Sequence, residues 1–255
     1  GSMQAMLNPV RGLLRTHAAV YWALKQAATR QRRSIRVSVA HHLRVFDPAS
    51  ELNPLDRIGA GVFDYAFNWM IPDAIQTGRI KVWIPGQIDV NEEIPELKGT
   101  QDYFALNYYT RDRVKVDLFG SPDKWIITEH DPDKMELYPA GFYKVLKAVN
   151  ARYPSLTVFV TENGLSDAAD LKRQTFIENH LYAMHKAISE GVKVRGYCYW
   201  TLMDNFEWTL GYVPKFGLYH VDRGAGLTRT PRPSAFFYGD LARDNGLWVT
   251  PFTMK

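Results

Sequence analysis

Cysteine is almost absent from this chain of 255 residues. The single thiol, Cys198, excludes an internal disulfide and a multi-cysteine metal site. Set within an apolar run, it reads as a small core side chain. No stretch of 18 apolar residues occurs and no basic-apolar leader opens the chain, so no membrane partner is expected and the cytoplasm is the expected location. An excess of one charge is also missing. Lys and Arg number 31 against 27 Asp and Glu, a net charge of +4. The one basic cluster, Arg30, Arg32 and Arg33, falls at a predicted helix end where cations complement the dipole, so no nucleic-acid partner is expected. Neither an internal repeat nor a low-complexity linker is visible.

What is present alternates between helix and strand signals. Asn8 and Pro9 open a helix predicted over 10–32, with Val10, Leu13, Leu14, Tyr21, Leu24 and Ala28 as its apolar positions. Ile35 to Phe46 reads as a strand, ended by Asp47 and Pro48. Asn53 and Pro54 open a helical stretch that Pro72 interrupts and Gly78 closes. Tyr103 to Tyr109 is the second strand, followed by a long polar loop from Arg111 to Pro132. Tyr138 and Pro139 lead a helix, Val158 to Gly164 gives the third strand, and a helix from Leu171 to Glu190 stops at Gly191. The stretch from Arg195 supplies the fourth strand, and Pro233 opens a last helix reaching Arg243. This order predicts an α/β fold with a parallel sheet, one domain over residues 1–255, in which Gly1 and Ser2 read as a cloning remnant ahead of Met3. A closed (β/α)8 barrel needs eight strands in about 250 residues. Four are legible, which leaves an open sheet or half of a barrel.

Two of these strands end in chemistry. VFVTENG, from Val158 to Gly164, places Glu162 at the end of an apolar run, and RGYCYWTLMDNFEW, from Arg195 to Trp208, carries Trp200, Glu207 and Trp208. Carboxylates grip paired hydroxyls and indoles stack on the apolar C–H face of a sugar ring, so this pairing suits a carbohydrate. Taken singly, each of these residues is most simply a solvated acid or a packed aromatic. Only their association reverses that reading. Adjacent in a strand, His41 and His42 point to opposite faces and cannot share a metal. His180 and His185 lie five apart on a helix, poor metal spacing. No metal and no cofactor are expected.

TENG at Thr161 to Gly164, YWTLMDNFEWTLGY at Tyr199 to Tyr212, KFGLYHVD at Lys215 to Asp222, RTP at Arg229 to Pro231 and LNYYT at Leu106 to Thr110 together resemble glycoside hydrolase family 1, the β-glucosidase family. The resemblance implies a (β/α)8 TIM barrel and retention of configuration through a covalent glycosyl-enzyme. It implies that Glu162 is the nucleophile, that Asn107 and Tyr109 are its polar supports, that Trp200 floors the sugar site, and that Glu207 and Trp208 bind the outer hydroxyls. A β-glycoside or small sugar is the implied substrate. Smaller departures from the family pattern are Ala105 where Gly is usual and Met135 where Trp commonly precedes Tyr-Pro.

The family's acid/base glutamate lies in an Asn-Glu-Pro motif that this chain lacks; the nearest string is Asn91-Glu92-Glu93. The chain therefore corresponds to about strands 5–8, a half-barrel retaining the nucleophile without the acid/base half. Two alternatives stand beside a catalytic fragment: a non-catalytic half-barrel that binds carbohydrate or self-associates, and one half of a split enzyme completed by an N-terminal chain. Exposed strand edges near Ile35 and Leu202 would favour a homo-oligomer.

Overall fold

A computed structural model describes residues 3–84, 88–120, 125–128 and 132–246. Its elements are α1 (Met3–Arg30), β1 (Ala40–Pro48), α2 (Pro54–Phe63), a π-helical segment (Asp64–Trp69), α3 (Met70–Thr77), β2 (Arg79–Ile84), β3 (Ile88–Glu93), β4 (Phe104–Val114), α4 (Pro139–Arg152), β5 (Val158–Glu162), α5 (Arg173–Ser189), β6 (Val194–Tyr197), β7 (Tyr219–Asp222), β8 (Thr228–Pro231) and α6 (Pro233–Asp244). The main sheet has the order β1-β4-β5-β6, and β2-β3 and β7-β8 form separate two-stranded sheets. The fold is α/β, as the alternation predicts. No helix among the described residues is long and apolar enough to cross a membrane.

The chain divides into two compact units, and β4 contributes to both. The first comprises Gly1–Ala105 with Arg113–Ile127, the second Leu106–Asp112 with Thr128–Lys255. The first unit's main cluster joins Leu7, Leu14 and Ala18 of α1 to Ala74 and Ile75 of α3 and to Ile80, Val82, Ile88 and Val90 of the hairpin. Burial of Leu7 in that cluster explains why α1 begins at Met3 and not after Pro9, which lies inside the helix. Asn53 caps α2 by accepting the N–H of Leu55 at 3.0 Å. Pro72 does not break the helical stretch. It falls in the first turn of α3, after the wider π turn, where a missing N–H costs little. Gly78, with φ of 73°, supplies the left-handed cap that ends α3.

Several expectations need correction. The first strand begins at Ala40, because Val37 is engaged by Asp102 instead of a ladder: Val37 N donates to the carboxylate at 2.6 Å and its carbonyl accepts Asp102 N at 2.8 Å. The second strand runs on to Val114, which bridges Ile126, so the predicted loop is shorter than expected; its residues 121–124 and 129–131 lie outside the described part, as do Gly1 and Ser2. The fourth strand stops at Tyr197. The hairpins β2-β3 and β7-β8 were not foreseen. In the first, Ile80 and Val82 alternate with Lys81 and Trp83, so one face is buried and the other exposed.

In the second unit β5 and β6 pair in parallel, Val158 with Val194, Phe159 with Gly196 and Val160 with Tyr197. The aromatic Tyr199 packs with Leu165, Phe176, Ile177 and Leu218, and Tyr197 lies against this cluster. Strict alternation then sends the intervening Cys198 to the opposite face, and it is exposed, contrary to its reading as a core residue.

His180 is fully buried on α5, its ring stacked 3.9 Å from that of Phe176. Nδ1 donates to the Phe176 carbonyl at 2.8 Å, while Nε2 has no partner among the described residues. Burial therefore pushes its pKa down from 6.5 to about 4, the Phe176 bond opposing this only in part. The unfolded chain binds this proton at the higher pH, so stability is intact above pH 6.5 and declines as pH falls towards 4. We predict that thermal unfolding followed across pH 7 to 4 shows this decline, with His180 contributing at most about 3 kcal/mol. His180→Phe should flatten that part of the profile.

Candidate active site

Everything described at this site belongs to the second unit. Glu162 is the last residue of β5, and Tyr109 in β4 donates its hydroxyl to Glu162 Oε2 at 2.5 Å. Burial first, and then the charge and hydrogen bond of Glu162, raise the Tyr109 pKa, with the charge of Glu207 adding to the effect. The phenol is thus held protonated as a donor to the carboxylate. Asn107, two residues earlier in β4, meets the neighbour of the carboxylate: Thr161 Oγ1 donates to Asn107 Oδ1 at 2.5 Å. Trp200 Nε1 donates to Glu207 Oε1 at 3.1 Å. Trp208, with φ of 48°, is 82% exposed. The structure therefore joins Tyr109 to Glu162, Asn107 to Thr161, and Trp200 to Glu207, and leaves the Trp208 indole towards solvent.

The Trp200 segment follows β6 without regular structure, yet it is tightly held. Trp200 N donates to Asn163 O at 3.0 Å, and the Trp200–Thr201 peptide is cis. Gly164 lies directly beneath: a Cβ there would stand 1.9 Å from the Trp200 carbonyl oxygen, so only glycine lets the two backbones approach. Further on, Thr201 N and Leu218 N exchange bonds with Phe216 O and Thr201 O at 3.2 and 2.9 Å. Glu207 N closes a tight turn on Gly211 O at 2.7 Å, and Gly211 itself has φ of 63°.

Two buried ion pairs fix this segment, and neither was singled out in the sequence. Asp204 and Arg232 meet through both oxygens, at 3.2 Å to Oδ1 and 2.9 Å to Oδ2. Asp204 also accepts Gly217 N at 3.0 Å, and Arg232 donates to Gly217 O at 2.5 Å. Burial alone would raise the Asp204 carboxyl, but the Arg232 hydrogen bond and charge outweigh it and hold the group below its usual range. Arg173 is 0% exposed and donates to Tyr199 Oη at 3.0 Å, to Asp167 O at 2.6 Å and to Lys215 O at 2.7 Å, while pairing with Asp170. Asp170 in turn accepts Ser234 N at 2.8 Å and Ser234 Oγ at 2.7 Å at the start of α6. Burial pushes the Tyr199 hydroxyl up to about 12. A charged residue inside a long apolar-aromatic motif, as Asp204 is in TLMDNFEW, was the available signal.

Chemically, one carboxylate is aligned by a neutral phenol and a second is tethered to an indole. Among the described residues no set of three His, Cys, Asp or Glu is arranged to hold a metal.

Comparison with known proteins gives the chain's relatives. The family model described as Glycosyl hydrolase family 1 matches residues 2–247. A β-galactosidase of Sulfolobus acidocaldarius is 32% identical over 250 residues, which cover 92% of this chain and 47% of that protein. The β-glycosidase structure from Pyrococcus horikoshii superposes with a TM-score of 0.76 at 34% identity, covering 91% of this chain and 52% of that one. The family 1 β-glucosidase from Thermotoga maritima gives 0.79 at 26% identity, covering 92% and 56%. The chain spans about half the length of these relatives.

Arg232→Met should strand a buried Asp204 carboxylate and cost about 3 kcal/mol or more in urea unfolding at pH 7. Asp204→Asn with Arg232→Met together should cost less than the sum of the two single changes.

Proposed function

The chain belongs to glycosyl hydrolase family 1, and on that premise we propose that it is the strand-5-to-8 half of a retaining β-glycosidase barrel, acting on β-glycosides of glucose or galactose. The observation that supports this best is the Tyr109–Glu162 bond beside the Trp200–Glu207 bond. In this reading Glu162 attacks the anomeric carbon through Oε1 while Tyr109 restrains Oε2. The C–O bond to the leaving group breaks as the glycosyl ester forms, and water later cleaves the ester with a second inversion, so configuration is retained. Trp200 offers its face to the ring. Glu207 and Trp208 bind the outer hydroxyls, with Trp208 settling on the sugar only when it is present.

The departing oxygen needs a proton, and the chain has no Asn-Glu-Pro glutamate to give it. A glycoside with a poor, strongly basic leaving group should therefore react slowly here, and an activated one should suffer least. The same absence favours a second reading, a half-barrel that binds sugar without turning it over. In either case β1 and β6 end the order of the main sheet, and we propose that a second copy or a complementing N-terminal half covers these edges.

The decisive measurement is intact-mass analysis after exposure to a 2,4-dinitrophenyl 2-deoxy-2-fluoro-β-glycoside, whose leaving group needs no acid. Wild type should carry one glycosyl adduct on Glu162, and Glu162→Gln should carry none. An adduct on any other residue overturns the assignment. Unactivated aryl glycosides should turn over roughly 10²- to 10⁴-fold more slowly than with a complete family member. Light scattering at tens of micromolar should give a mass above one chain; a well-folded monomer that binds no apolar dye would rule out self-association.

A further inference from the structure

Asn163 is the most enclosed polar side chain next to the proposed nucleophile, with 0% exposure. Its three polar functions reach three different parts of the second unit. Nδ2 donates to the backbone carbonyl of Tyr108 in β4 at 2.8 Å. Oδ1 accepts the hydroxyl of Tyr197, the last residue of β6, at 2.8 Å. Its main-chain carbonyl accepts Trp200 N at 3.0 Å. Tyr108 lies between Asn107 and Tyr109, the two residues that meet Thr161 and Glu162. One side chain thus references β5 to β4 and β6, and its own backbone carries the sugar platform.

We infer that Asn163 is a positioning residue that sets the Glu162 carboxylate and the Trp200 indole in one frame, an inference that rests on Glu162 being the nucleophile. The argument is geometric. Glu162 is joined to Asn163 by one peptide unit, so pinning the Asn163 side chain on two sides removes the rocking freedom that an unconstrained strand end would pass to its neighbour. A buried amide with both ends paired is costly to displace, because either movement would leave the Tyr108 carbonyl or the Tyr197 hydroxyl without its partner. Nucleophilic attack tolerates little misplacement, an error of about 1 Å costing roughly 100-fold in rate. Serine or alanine at this position would keep the backbone but lose both links. Aspartate would keep the acceptor for Tyr197 and lose the donor for Tyr108.

The test separates binding from chemistry with the same dinitrophenyl 2-fluoro-glycoside on the full chain. Tyr197→Phe deletes only the hydroxyl that holds Oδ1, and Asn163→Asp replaces the amide donor to Tyr108 with a carboxyl oxygen, adding an acid beside Glu162. For Tyr197→Phe the limiting rate of labelling at Glu162 should fall about 10-fold, and for Asn163→Asp about 100-fold, while the concentration giving half-maximal rate moves less than threefold and melting stays cooperative. Wild-type labelling rates in both variants, with or without a lowered melting temperature, overturn the inference and make Asn163 a structural pin. Loss of cooperative melting in both variants does the same. A wild type that labels on another residue, or not at all, removes the premise itself, and that result is read before either variant is compared.

Discussion

A fully buried guanidinium organises the carboxyl ends of β5 and β6. Arg173 is fully enclosed, and an unpaired cation there would be prohibitively costly, so the chain around it must present acceptors. It does so from three directions: Asp167 and Asp170 in the segment after β5, Lys215 in the segment after β6, and the Tyr199 hydroxyl. Arginine suits this role because its planar fork addresses several acceptors at once, which an ammonium on a flexible stem does not. The stabilisation such a buried pair contributes is small in net terms. Its effect is selection of one loop arrangement, since any other leaves the charge unsatisfied.

Once those segments are fixed, the electrostatics of the site follow. Tyr109 is buried beside one carboxylate and within the field of another, so ionising it would put three negative groups together. It stays a neutral donor, directed at Glu162 Oε2. Asp204 shows the opposite balance. The same desolvation acts on it, but Arg232 and the N–H groups of Gly217 and Val221 outweigh burial. Arg232 thus lets Asp204 keep its charge despite burial.

Much of this was legible in the sequence where local chemistry decides the outcome. Proline openings place α4 and α6, Gly78 ends α3, and the apolar run before Glu162 gives β5. The nearness of Tyr109 to Glu162 was implied by the family resemblance and not by local pattern, and the Trp200–Glu207 bond was not foreseen. What escaped depends on partners distant in sequence. Arg173, Asp204 and Arg232 look like surface charges until their partners are known, and 28 residues separate the two halves of the Asp204–Arg232 pair. The β2-β3 hairpin carries Arg79, Lys81, Asp89, Glu92 and Glu93 on a strand pattern, so its charges mask its alternation. Cys198 misled because an apolar run was taken as buried on both faces, whereas only the face of Tyr197 and Tyr199 packs.

The close passage of the Trp200 carbonyl over Gly164 bears on how this segment can change over time. Every codon one base away from a glycine codon that encodes another residue adds a side chain, and even the smallest would meet an oxygen at 1.9 Å, far inside van der Waals contact. No gradual route leads away from glycine while the Trp200 backbone stays where it is. The two positions are therefore coupled: a side chain at 164 is closed off unless the Trp200 backbone has already moved.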